Sequence, residues 1–301
     1  MILVTGGAGV MGSRLVKGLV SRGHKVRVLT LPNDPFISRL SGTACEIVYG
    51  DVADAASLSR IFTGVKTVYH LAAIIIAYDH ATLWRINVEG TRNVVNGALG
   101  AGVEHFIYIS SVSAAFPQGS DYAASKLAAE KIVKSQSKMH YTVVRPTLIY
   151  GKGEGQEFMM FMDSLKKYPV VPFVGKGLAK KNPVLADDIV QGLFPIAGNP
   201  VTYNKTYNFS GGEAVSMKDL AYLMLKSQGL SKPFLFIPLS VCRLIAFILE
   251  KTMKRPPLTR YGISRIEHDA ASDNTAARED LGYNPIGVTE GLKLCYGPFK
   301  N

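Results

Sequence analysis

The 301-residue sequence has three cysteines, one tryptophan, no low-complexity tract and no internal repeat. Cys45, Cys242 and Cys295 are scattered and odd in number, which excludes a disulfide framework and a CxxC metal site. No metal is expected, and a reducing cytoplasm is the expected compartment. An uninterrupted apolar stretch of spanning length is also missing. The run 68–78 is too short and carries His70, and the run 234–249 is broken by Pro238 and Arg243. No transmembrane segment is therefore expected. The segment 239–253, followed by Lys254-Arg255, reads either as a helix covering the core or substrate cleft or as one lying in a membrane interface. Met1-Ile2-Leu3-Val4 leads straight into a strand and a glycine loop, so no signal peptide is expected. Charge is not balanced: the net is +11, with local clusters at Lys176-Lys180-Lys181 and Lys251-Lys254-Arg255. Such a surface attracts polyanions, but no zinc finger, RNA-recognition signature or basic arm accompanies it, and nucleic acid is not an expected partner.

What is present is a rhythm. Apolar strand-like runs occur at 2–5, 26–30, 46–49, 67–73, 106–110 and 142–144, separated by helical patterns at 10–22, 55–62, 86–100 and 122–137. Continuous apolar strands alternating with helices predict a parallel sheet buried on both faces, and right-handed crossovers make it an α/β, doubly wound Rossmann architecture. Past Arg145-Pro146 the rhythm weakens and Pro and Gly recur. Helical patterns follow at 187–198, 216–228, 239–253 and 289–296. The expected division is a dinucleotide-binding domain over 1–151 and a smaller C-terminal substrate-binding lobe over 152–301, some of whose elements return to the sheet.

Chemistry-bearing residues lie at the C-terminal ends of these strands. Gly6, Gly9 and Gly12 have the spacing G-x-x-G-x-x-G between the first strand and first helix, with Val10 and Met11 inside the turn. Small residues there let a pyrophosphate approach the backbone at a helix N-terminus. The second strand ends at Thr30 with neither an acid nor a base. Asp34 comes late and Arg39 belongs to the next segment, so NAD and NADP both remain open. Asp51, ending the third strand, accepts an adenine amino group with Val52 beside the ring, or else caps a helix. Leu71, Ala72 and Ala73 let a cofactor run past the fourth strand, or else pack the core. Ser111 follows the fifth strand, with Ser113 two residues on. Tyr122 and Lys126 are four apart and share one face of a helix. An ammonium beside a phenol stabilises the phenolate and lowers its pKa from the usual ~10. The phenol then exchanges a proton with a substrate hydroxyl that Ser111 polarises.

Thr5-Gly6-Gly7-Ala8-Gly9-Val10-Met11-Gly12, Gly50-Asp51, His70-Leu71-Ala72-Ala73, Asn87-Val88-Glu89-Gly90-Thr91, Ser110-Ser111, Tyr122-x-x-x-Lys126 and Arg145-Pro146-x-x-x-Tyr150-Gly151 occur in that order. Together they resemble the extended short-chain dehydrogenase/reductase family of epimerase/dehydratase type. The resemblance implies a tightly held NAD(P), Ser-Tyr-Lys catalysis, Lys126 on the nicotinamide ribose, Ile109 in the cofactor set and the backbone after Pro146 near the carboxamide. It also implies a homodimer built from helix 122–137, through Leu127, Ile132 and Val133, and helix 86–99. Nucleotide-sugar members carry two arginines that are here replaced by Lys180-Lys181 and by the stretch ending at Arg260. The latter stretch is more like the 3β-hydroxysteroid dehydrogenase and dihydroflavonol reductase branches. No acidic pair accompanies the catalytic serine, which weighs against dehydration.

The expected function is NAD(P)-dependent oxidation or reduction of a secondary alcohol or ketone. The leading substrate class is a nucleotide-diphosphate sugar undergoing epimerisation, with Ser113, Lys180 and Arg260 as substrate contacts. The alternative is dehydrogenation of a steroid-, terpenoid- or flavonoid-like molecule against an apolar wall of Leu244, Phe247 and Ile248. An alternative of another class is a non-catalytic NAD(P)-binding scaffold or sensor, against which the intact Ser-Tyr-Lys set argues.

Overall fold

A computed structural model describes residues 1–75, 79–116, 120–152, 155–253, 256–267 and 269–299, without the side chains of Tyr261 and Arg265. Lys254-Arg255 and the end of the apolar run 68–78 lie outside the described residues. The elements in chain order are β1 (Ile2–Thr5), α1 (Val10–Ser21), β2 (Val26–Thr30), β3 (Glu46–Tyr49), β4 (Thr67–His70), α2 (His80–Trp84), α3 (Gly90–Gly100), β5 (His105–Ile109), α4 (Asp121–Ser135) and β6 (His140–Pro146). They continue as β7 (Ile149–Tyr150), α5 (Gln156–Lys166), β8 (Val171–Val174), β9 (Lys180–Lys181), β10 (Val184–Leu185), α6 (Ala186–Leu193) and β11 (Lys205–Phe209). The last are β12 (Val215–Ser216), α7 (Met217–Ser227), β13 (Phe234–Ile237), α8 (Leu239–Thr252), α9 (Arg260–Glu267), α10 (Thr275–Leu281) and α11 (Val288–Tyr296).

The apolar strand runs form one seven-stranded sheet, ordered β3-β2-β1-β4-β5-β6-β11, in which all pairs are parallel. β1, β2, β4 and β5 are buried at every residue, as continuous apolar strands covered on both faces must be. The strand order reverses between β1 and β4, and the crevice for a ligand in such sheets opens at the carboxyl ends of those strands.

Several boundaries differ from the sequence expectation for local reasons. The fourth strand ends at His70 rather than 73, because the Ala72 N–H turns to the Thr5 hydroxyl at 3.3 Å. The helix expected over 55–62 is one 3₁₀ turn, Ala55–Leu58, capped by Asp54. α2 runs into α3 through a π-helical turn, Arg85–Glu89. That widened turn holds Asn87, whose amide donates to the Ile74 carbonyl and accepts from the Ile74 N–H, both at 2.9 Å. α5, α9, α10 and β11 carry no strong period in the sequence and appear only in the structure. α4 differs in what it offers a partner: Val133 is fully buried and Ile132 packs against the same core. The expected dimer surface therefore lacks Val133, which faces inward.

Two compact units are present. The first comprises Met1–Pro146, Asp187–Phe209 and Asn274–Asn284, and holds the sheet. The second comprises Thr147–Ala186, Ser210–Asp273 and Pro285–Asn301. Its core includes Tyr150, Phe158, Met162, Leu220, Met224 and Leu292, and its short strands pair as β7–β10, β8–β13 and β9–β12. A separate small cluster, Cys242, Ala246 and Ile263, pins one stripe of α8 to α9.

Candidate active site

The glycine loop divides into two kinds of position. Gly6 sits at φ +68°, and a Cβ on it would lie 2.8 Å from the Ala72 nitrogen; one on Gly12 would lie 2.2 Å from the Gly6 carbonyl oxygen. Both are required by the chain's own packing. Gly9 differs: a Cβ there would meet only the Gly6 oxygen, at 3.2 Å. Gly9 is also the N-cap of α1 and supplies no side-chain acceptor to the first-turn N–H groups. A helix end with open donors and a bare backbone suits an anionic diphosphate. Val10 and Met11, both half-buried, open the helix. Leu71 and Ala72 back directly onto Gly6, so the ends of β1 and β4 and the loop form one wall, with Ala73 exposed beyond them.

Beneath that wall runs a buried polar chain. The Thr5 hydroxyl meets His70 Nδ1 at 2.7 Å, and His70 Nε2 meets the Thr91 hydroxyl at 3.0 Å. Thr91 already donates to the Asn87 carbonyl at 2.7 Å, so it accepts from Nε2–H, and Nδ1 accepts from Thr5. His70 is therefore neutral. Burial, and then the charge of Lys126, lower its pKa to about 3. The sequence contains this histidine inside a motif, but its partners are 65 and 21 residues away.

α4 carries the proton-transfer candidates. Ser120 caps it, accepting from the Ala123 N–H at 3.2 Å. Ser125 donates to the Tyr122 carbonyl at 2.8 Å and accepts from Asn87 at 3.1 Å, which ties the tyrosine's turn to the π-helical turn. Tyr122 is half-buried, and Lys126, one turn on, is fully buried. Lys126 Nζ donates to the Ile109 carbonyl at 2.7 Å and stands 4.5 Å above the Tyr108 ring. Burial pulls its pKa down to about 7, against the opposing charge of Glu130. Ser111 accepts from the Ser113 hydroxyl at 2.8 Å and from the Ser113 N–H at 3.2 Å, so its own O–H remains a donor. It is both a turn cap and a usable hydroxyl at the end of β5.

Glu130 has no place in the sequence reading, yet it organises this region. Its carboxylate is almost wholly buried and takes the Ser110 hydroxyl at 2.5 Å and the Arg145 guanidinium at 2.8 and 2.6 Å. Burial pushes its pKa up, but the bonds from Arg145 and Ser110 and the charges of Arg145 and Lys134 outweigh that, and it lies below the ordinary 4.5. One carboxylate thus clamps α4 to the ends of β5 and β6. Pro146 ends β6, buried beside Phe209 of β11.

At the other end of the crevice, the structure moves two residues that the sequence separates from β2. The Thr30 hydroxyl donates to Asp34 at 2.8 Å, and the Phe36 N–H donates to the same carboxylate at 2.9 Å. Arg39 reaches the Ala8 carbonyl at 3.3 Å, its guanidinium 4.1 Å over the Phe36 ring. A base therefore stands at the glycine loop and an acid at the end of β2. Asp51 accepts from the Ala53 N–H at 2.9 Å, within its own turn. Val52 is buried beneath Gly90, and its carbonyl accepts from Asn93 at 2.9 Å, so its side chain belongs to the core.

In the second unit, Arg260 is bound to Glu250 through both its side chain (2.7 Å) and its backbone N–H (2.8 Å). The Lys180 N–H donates to Asp269 at 2.6 Å, and its side chain is exposed. Leu244, Phe247 and Ile248 are exposed on α8. A cavity of that unit, about 530 Å³, is lined by Val174, Leu178, Phe236, Ile237, Leu239 and Ile266, with Lys176 and Glu267 among its wall. No group of ligating side chains that could hold a metal occurs among the described residues.

A profile of the NAD dependent epimerase/dehydratase family matches residues 2–209. A 3 beta-hydroxysteroid dehydrogenase/Delta 5-->4-isomerase of Mycobacterium tuberculosis is 28% identical, covering 96% of this chain and 87% of that protein. A 2-alkyl-3-oxoalkanoate reductase of Stenotrophomonas maltophilia is 27% identical, over 97% of each chain. Among solved structures, a UDP-glucose 4-epimerase of Thermotoga maritima superposes with a TM-score of 0.77 at 24% identity, covering 98% of this chain and 97% of the other, a likeness of fold.

Proposed function

Because the chain belongs to the NAD dependent epimerase/dehydratase family, within the extended short-chain dehydrogenases/reductases, we propose that Ser111, Tyr122 and Lys126 are its proton-transfer residues and that its substrate is a secondary alcohol or ketone on a hydrophobic molecule. NAD(P), held by the Gly6–Gly12 loop and the Leu71-Ala72-Ala73 wall, supplies or accepts the hydride. Ser111 donates its O–H to the substrate oxygen. Tyr122 gives or takes that oxygen's proton. Lys126 stabilises the phenolate while its own ammonium is held on the Ile109 carbonyl. The observation that carries the catalytic reading is this buried ammonium one helical turn from Tyr122, because an ordinary surface lysine has no reason to be desolvated.

The hydrophobic class draws support from the two full-length relatives, whose names describe steroid and alkyl-ketone chemistry, and from the apolar cavity of the second unit. Arg260, the expected phosphate contact, is engaged by Glu250. The nucleotide-sugar class is the second reading, favoured by Lys176 in the cavity wall and by the exposed Lys180. Ser113 fits either class as a substrate contact beside Ser111. A homodimer and a cytoplasmic location complete the proposal; the three unbonded cysteines support the latter.

The test is a thermal-shift and turnover panel with NAD and with NADP. Sterol-like or long-chain secondary alcohols should raise Tm in the presence of cofactor and change the nicotinamide absorbance. UDP-sugars should do neither. Stabilisation by UDP-sugars alone, weakened by Lys180→Ala with Arg260→Ala, would establish the second reading.

A further inference from the structure

α8 is covered on one side only. Cys242 and Ala246, four apart, face the small cluster that it shares with α9. Leu239 packs against the same cluster and Leu249 is half-buried, but five other apolar side chains of the helix are exposed. Val241, Leu244, Ile245 and Ile248 follow i, i+3, i+4, i+7 spacing on an uncovered face, with Leu244 60% and Ile248 51% exposed. Phe247 is exposed as well, and so are Leu235 and Phe236 of β13, the strand that leads into the helix. An apolar surface of this continuity marks an interaction site rather than ordinary scatter.

The charges beside it face outward. Arg243 pairs with Glu267, but the arginine side chain is 60% exposed and the glutamate 28%. Arg260 pairs with Glu250 in the same way, 61% against 25%. Lys251 is exposed, its ammonium 4.3 Å over the Phe247 ring. The surface offered to a partner is therefore apolar residues flanked by cations, with the carboxylates set behind. That is complementary to an anionic lipid headgroup layer above hydrocarbon. It is not complementary to itself. Two such faces brought together would oppose Arg243, Lys251 and Arg260 of one copy to those of the other, and α8 has Glu250 as its one carboxylate. At 14 residues α8 is roughly 21 Å long, short of the ~30 Å hydrocarbon core, so it is too short to cross a bilayer. Among the described residues no helix meets the requirement for crossing.

We propose that the exposed face of α8, with Leu235 and Phe236 of β13, docks the protein on an anionic lipid surface. Phe236 belongs both to this face and to the cavity wall, and Leu239, the first residue of α8, lines the cavity too. On the reading that the substrate is hydrophobic, which this part of the proposal rests on, the apolar body of the substrate moves from the lipid into the cavity along Phe236 and Leu239.

The experiment is co-sedimentation of the full chain, with NAD bound, on vesicles of phosphatidylglycerol and phosphatidylcholine and on phosphatidylcholine alone. The protein should partition onto the mixed vesicles, more weakly as salt rises, and little onto the neutral ones. Leu244→Asp with Ile248→Asp should lower partitioning by roughly tenfold or more, since two apolar contacts are lost, with the thermal melt and NAD binding unchanged. Lys251→Glu, which leaves the apolar face intact, should weaken binding to anionic vesicles only. Failure of the unaltered protein to bind any vesicle would overturn the docking surface. So would a two-chain mass by light scattering that the double variant reduces to one. Vesicle binding that persists while no hydrophobic alcohol is turned over in detergent would support the docking surface and remove the substrate reading alone.

Discussion

The candidate catalytic region of the first unit and the α8 surface of the second treat charge in opposite ways. In the first, Lys126 and Glu130 are buried and answered by named partners: the Ile109 carbonyl for one, Ser110 and Arg145 for the other. In the second, Arg243 and Arg260 stand outward over their glutamates, beside leucine and isoleucine side chains that water also reaches. Desolvated charge changes its pKa and holds its position, which is what proton transfer needs. Solvated charge beside bare apolar surface does neither, but it meets a partner cheaply. On the proposed readings, the same side-chain types serve chemistry in one unit and recognition in the other, and burial decides which.

The comparison is broken most severely at Tyr122. Tyr122→Phe keeps the ring and removes the proton carrier, so turnover should fall by roughly 10²–10⁴ with cofactor affinity little changed. Steady-state kinetics with calorimetry of NAD(P) binding checks this, and near-normal turnover on the true substrate would end the assignment.

Glu130→Ala leaves Arg145 uncompensated in the interior and should cost about 3–5 kcal/mol by chemical denaturation. The folded pKa of Glu130 lies below its ordinary value, so its stabilisation is present above pH 4.5 and is lost as pH falls through the folded value. The variant should therefore show a flatter acid limb of stability. Glu130→Gln preserves hydrogen bonding but removes a charge that raises the Lys126 pKa. The ammonium then persists only to lower pH, and the basic limb of the rate profile should move down. An unmoved limb would show that Glu130 acts on α4 by packing alone.

The two glycines sharpen the contrast between fold and ligand. Gly12→Val places a side chain on the Gly6 carbonyl and should destabilise the protein by about 1–3 kcal/mol. Gly9→Val should leave Tm nearly unchanged yet abolish NAD(P) binding, because the proposed cofactor site puts the diphosphate in the space beyond its Cβ. Unaltered calorimetric binding would remove the loop from the cofactor site.

The smallest effect belongs to the second unit. Arg243→Ala breaks an exposed pair and should change stability by about 1 kcal/mol or less, within a degree or two of Tm. A larger loss would mean that the outward charges of α8 hold the fold.

The comparison also separates what was legible in the sequence. The sheet strands β1, β2 and β5 are readable because a strand buried on both faces has to be apolar throughout, and the exposed edge strand β3 is readable only from its short β-branched run. The Tyr122–Lys126 pair is readable because four residues on a helix is a local distance. Glu130 was invisible as a site residue, and the contacts of His70, Asp34 and Arg39 were not legible although the residues themselves stand in or beside the motifs. Their partners are set by the meeting of chain segments that no short spacing records. The Val133 expectation failed for a related reason, since an apolar residue on a helix is apolar whether it faces the core or a second chain.

By itself, then, the sequence determined the alternation of strands and helices in the first half, the glycine turn and the facing of phenol and amine on α4, all of which follow from backbone geometry over a few residues. Only the tertiary structure decided that Lys126 is desolvated, that Glu130 and Arg145 close on each other, and that the apolar stripe of α8 is left uncovered. Burial and exposure are sums over neighbours distant in the chain, and hydrophobic periodicity describes a face without saying what, if anything, lies against it.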